Sequence, residues 1–207
     1  VLLTKLKHGM SENEARIILE SEMLMRGSTE PSFATIVASG HRSSMPHGVA
    51  SDKIIEAGDF VTFDFGAVYG GYHSDMTRTV VMGPASDLQK KLYDIVLRAQ
   101  LKGVEAVRPG LSGVDLDKIC RDSIAANGYG DCCNHGLGHG VGLDVHQLPA
   151  ASPKSDSVLE ENMIITVEPG VYISGEIGLR IEDSVVVTAD GCEILTHTPK
   201  ELVEISI

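Results

Sequence analysis

The sequence predicts an α+β domain made of two similar halves, and three observations carry that expectation. Three segments open on serine caps and continue at helical spacing. β-rich runs come in pairs, one pair between residues 60 and 82 and another between 163 and 188. No low-complexity linker or break in composition divides the chain, so residues 1–207 are expected to form one domain. With 43% apolar residues over 207 positions, the chain can bury a substantial core, which excludes a disordered chain or a disulfide miniprotein.

The elements follow in order. Ser11 and Glu14 make a capping box before Ala15-Arg16-Ile17-Ile18-Leu19, with Gly27 as the stop. Phe60 to Phe65 and Thr77 to Met82 read as strands around a turn region holding Gly66, Gly70 and Gly71. Ser86 and Gln89 open a second helix, with Leu92, Ile95, Val96, Ala99 and Val104 on its apolar face, running until Pro109-Gly110. Ser112 and Asp115 open a third, through Ile119 and Ile124 to Asn127-Gly128. The stretch from His135 to Pro149 carries four glycines and three histidines and reads as tight loop or irregular strand. Met163 to Val167, Gly170 to Ile173 and a continuous run from Leu179 to Thr188 complete the strands.

Charge narrows the function. The formal net charge of −12 argues against nucleic acid as a partner, because phosphate binding needs clustered Lys and Arg. No apolar run approaches the ~20 residues of a membrane span, and no signal-peptide core follows the N-terminus, which fits a cytoplasmic protein. Cys120, Cys132, Cys133 and Cys192 form no CxxC pair and read as free thiols in a reducing compartment.

Each strand pair carries two acids at its heart: Asp64 and Asp75 in the first, Glu168 and Glu182 in the second. Asp64 and Glu168 lie in strongly apolar runs, where an unpaired carboxylate would cost several kcal/mol. A buried Arg78 or Arg180 could compensate any one of them. Four acids in two matching pairs are harder to explain by salt bridges. Between the pairs lies His135-Gly136-Leu137-Gly138-His139-Gly140-Val141-Gly142-Leu143-Asp144-Val145-His146, three imidazoles among glycines that permit close approach. Four carboxylates and an imidazole form an oxygen-rich donor set suited to Mn²⁺, and their charge balances two divalent cations, as in two-metal hydrolytic centres.

Asp64, Asp75 eleven residues later, the HGLGHGVGLDVH segment, Glu168 in TVEPG and Glu182 in RIED together resemble the metal signature of the pita-bread metallopeptidases, which include methionine aminopeptidase, aminopeptidase P and prolidase. The likeness runs from about residue 10 to 198. Ile36-Val37-Ala38-Ser39-Gly40 leading to Pro46-His47-Gly48, the Arg180-Ile181-Glu182-Asp183 tetrapeptide and the fourteen-residue gap from Glu168 to Glu182 are similar to the proline-specific branch. The resemblance implies a pita-bread fold of two pseudo-symmetric halves around a curved antiparallel sheet. It implies two divalent metal ions, Mn²⁺ foremost, with Co²⁺, Zn²⁺ or Fe²⁺ as substitutes. It also implies hydrolysis of the Xaa-Pro bond at the N-terminus of peptides, and a homodimer.

Carried over position by position, Asp64 would hold one metal, His139 and Glu168 the other, and Asp75 and Glu182 would bridge both. Glu168 would also accept the proton of the attacking water. His47 and His146 would orient substrate and stabilise the oxyanion, His135 would line the proline pocket, and Arg180 would hold a ligand carboxylate. The chain departs from the pattern in four ways. The separate N-terminal domain usual in the proline-specific branch is missing from these residues. Ala150 stands where dipeptidases often carry an arginine for the substrate carboxylate, Gln147 replaces the usual acid after His146, and Cys132-Cys133-Asn134 precedes His135. Two other classes fit the same residues: a non-catalytic pita-bread module that binds peptide or protein, and a metal-dependent lyase or hydrolase of small molecules.

Overall fold

The computed structural model describes residues 1–207, and three antiparallel strands, Ile36–Ser39, Phe60–Phe65 and Met76–Met82, organise its first half. The Glu12–Met25 helix covers one face of them. Its N-terminus is closed by the expected capping box: Ser11 Oγ accepts from Glu14 N, and the Glu14 carboxylate accepts from Ser11 N. Ala15 and Leu19, one turn apart, bury against the sheet, and Ala15 joins Val37, Val61, Phe63, Val80 and Met82 in a compact core. Past Phe65 the chain makes a small hairpin, Ala67–Tyr69 with Tyr72–His73, which turns at Gly70 and Gly71 with φ of 59° and 82°. Both glycines occupy the left-handed region that a type I′ turn requires.

The second half repeats the plan with Ile164–Val167, Asp183–Val187 and Cys192–Ile194. The Asp87–Ala106 and Gly113–Ala125 helices pack on each other and on this half, and Leu92, Val96, Ala99, Leu116, Cys120 and Ile124 meet Ile165, Val167, Leu179 and Ile181 in a larger core. The first of these helices has the full Ser86–Gln89 box and ends at Ala106, short of Pro109. In the second, Ser112 Oγ accepts from Asp115 N, but Asp115 does not reach back to Ser112 N. Its side chain is one methylene shorter than Glu or Gln and accepts from Ser112 Oγ instead, at 2.7 Å.

One expectation needs correction. The run from Leu179 to Thr188 is two strands: Ile177–Arg180 pairs with Gly170–Ile173, and Asp183–Val187 pairs with Ile164–Val167. Pro169 lies opposite the break. It has no N–H to offer the ladder, so its carbonyl only accepts, from Ile181 N at 3.4 Å. Glu182 N turns instead to the Thr77 carbonyl of the first half, at 3.1 Å. The kink thus faces Glu182 toward the other half. The His135–Pro149 stretch resolves into two short strands, Gly138–Gly140 and Gln147–Ala151, with a register shift between His139 and Gly140. No helix is long and apolar enough to cross a membrane.

Candidate metal centre

Strand periodicity aims the first pair of acids. Val61, Phe63, Val80 and Met82 pack into the smaller core, so Thr62, Asp64, Thr77 and Thr79 point from the opposite face. Asp64 pairs in register with Thr77, and Asp75 lies two residues before Thr77 on the same side. In the second half Ile181 is buried in the larger core, and its neighbours Arg180 and Glu182 face the other way. Thr77 Oγ1 donates to Glu182 Oε2 at 2.7 Å, and Thr79 Oγ1 donates to the Arg180 carbonyl at 2.9 Å. The two inner faces therefore meet where the acids lie.

The histidine strand closes the site. Glu168 N donates to the Leu137 carbonyl at 2.9 Å, and His139 N donates to Thr166 Oγ1 at 3.0 Å. Gly138 makes this approach possible, since a Cβ there would lie 2.0 Å from the Thr166 carbonyl oxygen. All five expected metal-binding side chains line one cavity of about 430 Å³, together with His47, His135, His146 and Arg180.

One oxygen each from Asp64, Asp75 and Glu182 lie within 4.8 Å of one another. His139 Nε2 lies 3.6 Å from Asp75 Oδ2 and 3.4 Å from Glu168 Oε1. His139 Nδ1 sits 3.0 Å from the Gly140 carbonyl, which assigns the proton to Nδ1 and leaves the Nε2 lone pair facing those carboxylates. Lone pairs facing lone pairs repel unless a cation lies between them. Two buried oxygens, Asp64 Oδ1 and Glu182 Oε1, have no hydrogen-bond partner in the protein. The donor set therefore fits divalent cations, with Asp75 close both to Asp64 and Glu182 and to His139.

Burial and the same crowding raise the proton affinity of Asp75, Glu168 and Glu182. Burial, then the charges of Asp64 and Glu168, push Asp75 up to about 9. Burial, with Asp64 adding to it, pushes Glu168 up to about 8, and Glu182 moves well above the usual carboxylate range for the same kind of reason. Between the ordinary carboxylate range and pH 8, the folded chain without cations binds more protons here than the unfolded chain. Its stability must then fall as pH rises. His135, lowered to about 4 chiefly by burial, opposes this only below pH 6.5. Chelator-stripped protein is therefore expected to lose melting temperature from pH 6.5 to 8, and saturating Mn²⁺ should flatten the slope. A stripped protein whose melting temperature rises over that interval would contradict this.

Of the two candidate arginines, only Arg180 pairs with the carboxylates of the site. Its Nη2 pairs with Asp64 Oδ2 at 2.5 Å, Nε donates to Thr77 Oγ1 at 3.0 Å, and Nη1 donates to Tyr172 Oη at 2.6 Å and the Pro46 carbonyl at 3.2 Å. Arg78 alternates to the opposite face and pairs with Asp183 at 2.7 Å. Tyr172, which the sequence reading missed, donates its hydroxyl to His135 Nε2 at 2.9 Å, while His135 Nδ1 donates to the Gly136 carbonyl at 2.7 Å. Both ring nitrogens of His135 are thereby engaged, which leaves its ring face for the cavity. His47 and His146 are exposed at the rim, and the His146 ring lies 4.3 Å from that of His139. Tyr172 and Thr77 could have been found from parity alone, by counting two residues at a time from Gly170 and Asp75.

Comparison with known proteins follows the same line. The profile of metallopeptidase family M24 matches residues 1–189. An Xaa-Pro dipeptidase of Pyrococcus horikoshii is 49% identical over 97% of this chain and 57% of its own length. The solved Xaa-Pro dipeptidase from Bacillus anthracis superposes with a TM-score of 0.97 at 51% identity, covering 98% of this chain and 57% of that one. The X-Pro aminopeptidase structure from Thermotoga maritima gives 0.96 at 45% identity, covering 100% and 58%. The two-halved α+β architecture expected from the resemblance is the fold of these structures, and the chain spans somewhat more than half the length of each.

Proposed function

Because this chain belongs to metallopeptidase family M24, we propose that it forms the catalytic domain, residues 1–207, of a metallo-exopeptidase that hydrolyses the Xaa-Pro bond at the N-terminus of peptides. One observation carries the reading: four carboxylates and an imidazole from both halves converge on one cavity, with two buried oxygens left unpartnered. In this proposal Asp64, Asp75 and Glu182 would hold one divalent ion, and Asp75, His139, Glu168 and Glu182 would hold the second, with Mn²⁺ preferred. Bound there, the ions would supply Lewis acidity and a water acidified toward neutral pH. The chain's own residues do the rest. Glu168 accepts the water's proton at a carboxylate oxygen, and Thr166 Oγ1 donates to Glu168 Oε1 at 3.2 Å. His47 and His146, at the rim, donate to the developing oxyanion, and the His135 ring packs against proline. All four cysteines are free thiols, which supports a cytoplasmic setting as part of the proposal.

A panel of proline-containing peptides assayed with added Mn²⁺, against a chelated control, tests the reading. Cleavage before proline that disappears with the chelator is the expected result, and cleavage with no preference for proline would overturn it.

The same cavity supports a substrate length. A dipeptide presents its α-carboxylate beside proline, and a guanidinium or ammonium is the usual counter-charge. Arg180 is the only Lys or Arg in the cavity wall, and it is committed to Asp64, Thr77, Tyr172 and Pro46. Ala150 offers no charge, and Lys154, the nearest lysine in sequence, is exposed. A residue beyond proline replaces the carboxylate with a neutral amide. We expect kcat/KM for Xaa-Pro-Xaa to exceed that for Xaa-Pro by roughly tenfold or more, the worth of one charge-assisted contact. A clear advantage for the dipeptide would reverse this and point to a carboxylate anchor outside the cavity wall.

A further inference from the structure

We propose that Asp117 and Arg121 are positioning residues for His135, a helix-borne clamp that fixes the backbone on which this histidine meets substrate. The two side chains lie one turn apart on the Gly113–Ala125 helix and pair in a fork, Arg121 Nε to Asp117 Oδ2 and Arg121 Nη2 to Asp117 Oδ1, both at 2.9 Å. The fork does not exhaust them. Arg121 Nη1 donates to the Cys133 carbonyl at 2.8 Å and Nη2 donates to the carbonyl of His135 itself at 2.9 Å. Asp117 Oδ1 accepts from Leu137 N at 3.1 Å. One ion pair therefore holds three backbone groups within five residues.

The segment is otherwise held mainly at its ends. Cys133 to Leu137 lies between a one-turn 3-10 helix, Gly130–Cys132, and the Gly138–Gly140 strand. Leu137 is buried in the larger core and its carbonyl accepts from Glu168 N, and Cys133 N donates to the Gly130 carbonyl at 3.5 Å. Between these ends the His135 carbonyl meets only Arg121. His135 nonetheless needs an exact ring placement, because its Nδ1 proton goes to the adjacent Gly136 carbonyl and its Nε2 must meet the Tyr172 hydroxyl. A shift of the His135 carbonyl would break the second contact and free the ring to change tautomer. Asp117 is only 3% exposed, and its guanidinium partner is the cation beside it. A plain helix-surface pair at this spacing would leave both groups in solvent and touch no backbone. The inference rests on the proposed role of His135 at the proline pocket.

The test uses two variants of the whole chain, Arg121→Ala and Arg121→Lys. Lys keeps the charge and replaces the fork with a single ammonium, so it remains informative if the alanine variant does not fold. The first readout is the ¹⁵N imidazole spectrum of His135, assigned by its loss in His135→Gln. The parent should show one Nδ1-protonated tautomer; both variants should show a mixture of tautomers and faster amide exchange at Leu137. The second readout is kinetic: KM on a proline-containing peptide should rise about tenfold, with kcat changed much less and metal content unchanged. An unaltered His135 spectrum in both variants would overturn the clamp. If the parent cleaves no peptide, the peptidase reading fails, and the spectrum alone still decides the positioning role.

Discussion

Glu168→Ala is expected to abolish peptide hydrolysis while leaving the fold in place. Its carboxylate stands between the two kinds of group that the proposed chemistry needs: Oε1 is 3.4 Å from His139 Nε2, and Oε2 is 3.8 Å from Arg180 Nε. The proposed roles are metal ligand and acceptor of the water's proton, and alanine removes both. General-base catalysis alone is worth ~10²–10⁴-fold, so turnover within about tenfold of the parent would reject the role. The fold should survive because the structural work of residue 168 is done by its backbone, whose N–H reaches the Leu137 carbonyl at 2.9 Å. Losing a carboxylate from a crowded acidic cluster also relieves repulsion in the stripped protein. Glu168→Gln separates the two functions. It keeps an oxygen that can face a cation but cannot take a proton, so it should retain more metal than alanine while losing activity just as fully.

The four proposed metal-binding acids stood out in the sequence as two matching pairs in β-rich runs, two of them in strongly apolar surroundings, and three histidines stood out among glycines; the choice of His139 among the three came from the family resemblance. Two-residue periodicity then aims them, and the register of Asp64 with Thr77 delivers Asp75 to the same face. The kink opposite Pro169 was in principle legible, since proline cannot donate to a ladder, but nothing local says that Glu182 N will find Thr77 in the other half. The choice between Arg78 and Arg180 as the partner of Asp64 was likewise settled by parity across a long-range contact. Asp117 and Glu12 were invisible for a different reason. Each sits on a helix where an acid is ordinary, Glu12 in the first turn and Asp117 one turn before an arginine. Only the tertiary packing reveals that both carboxylates are buried.

Glu12→Ala is expected to be the most damaging substitution for stability among those considered. Glu12 is fully buried, and its two oxygens accept from Ser39 N at 2.8 Å, Ser39 Oγ at 2.9 Å, Ser51 N at 3.1 Å and Ser51 Oγ at 2.7 Å, besides the guanidinium of Arg42. Arg42 in turn donates to the Val49 carbonyl at 2.9 Å. One carboxylate therefore ties the Glu12–Met25 helix to both ends of the segment that carries His47. Alanine leaves the Ser39 and Ser51 donors and a mostly buried guanidinium without their acceptor. Breaking a buried pair in this way costs about 3–5 kcal/mol. At roughly 2–4 °C per kcal/mol for a chain of this size, the melting temperature should drop on the order of 10 °C. Glu14→Ala, two residues on, is the control. It removes only the reciprocal half of a solvent-exposed capping box and should cost about 1 kcal/mol or less. Thermal melts of both variants with Mn²⁺ present decide the matter. If Glu12→Ala melts within about 2 °C of Glu14→Ala, the buried carboxylate is not what secures this segment. If the large gap appears, the His47 segment is held from the helix N-terminus, far in sequence from the cavity it serves.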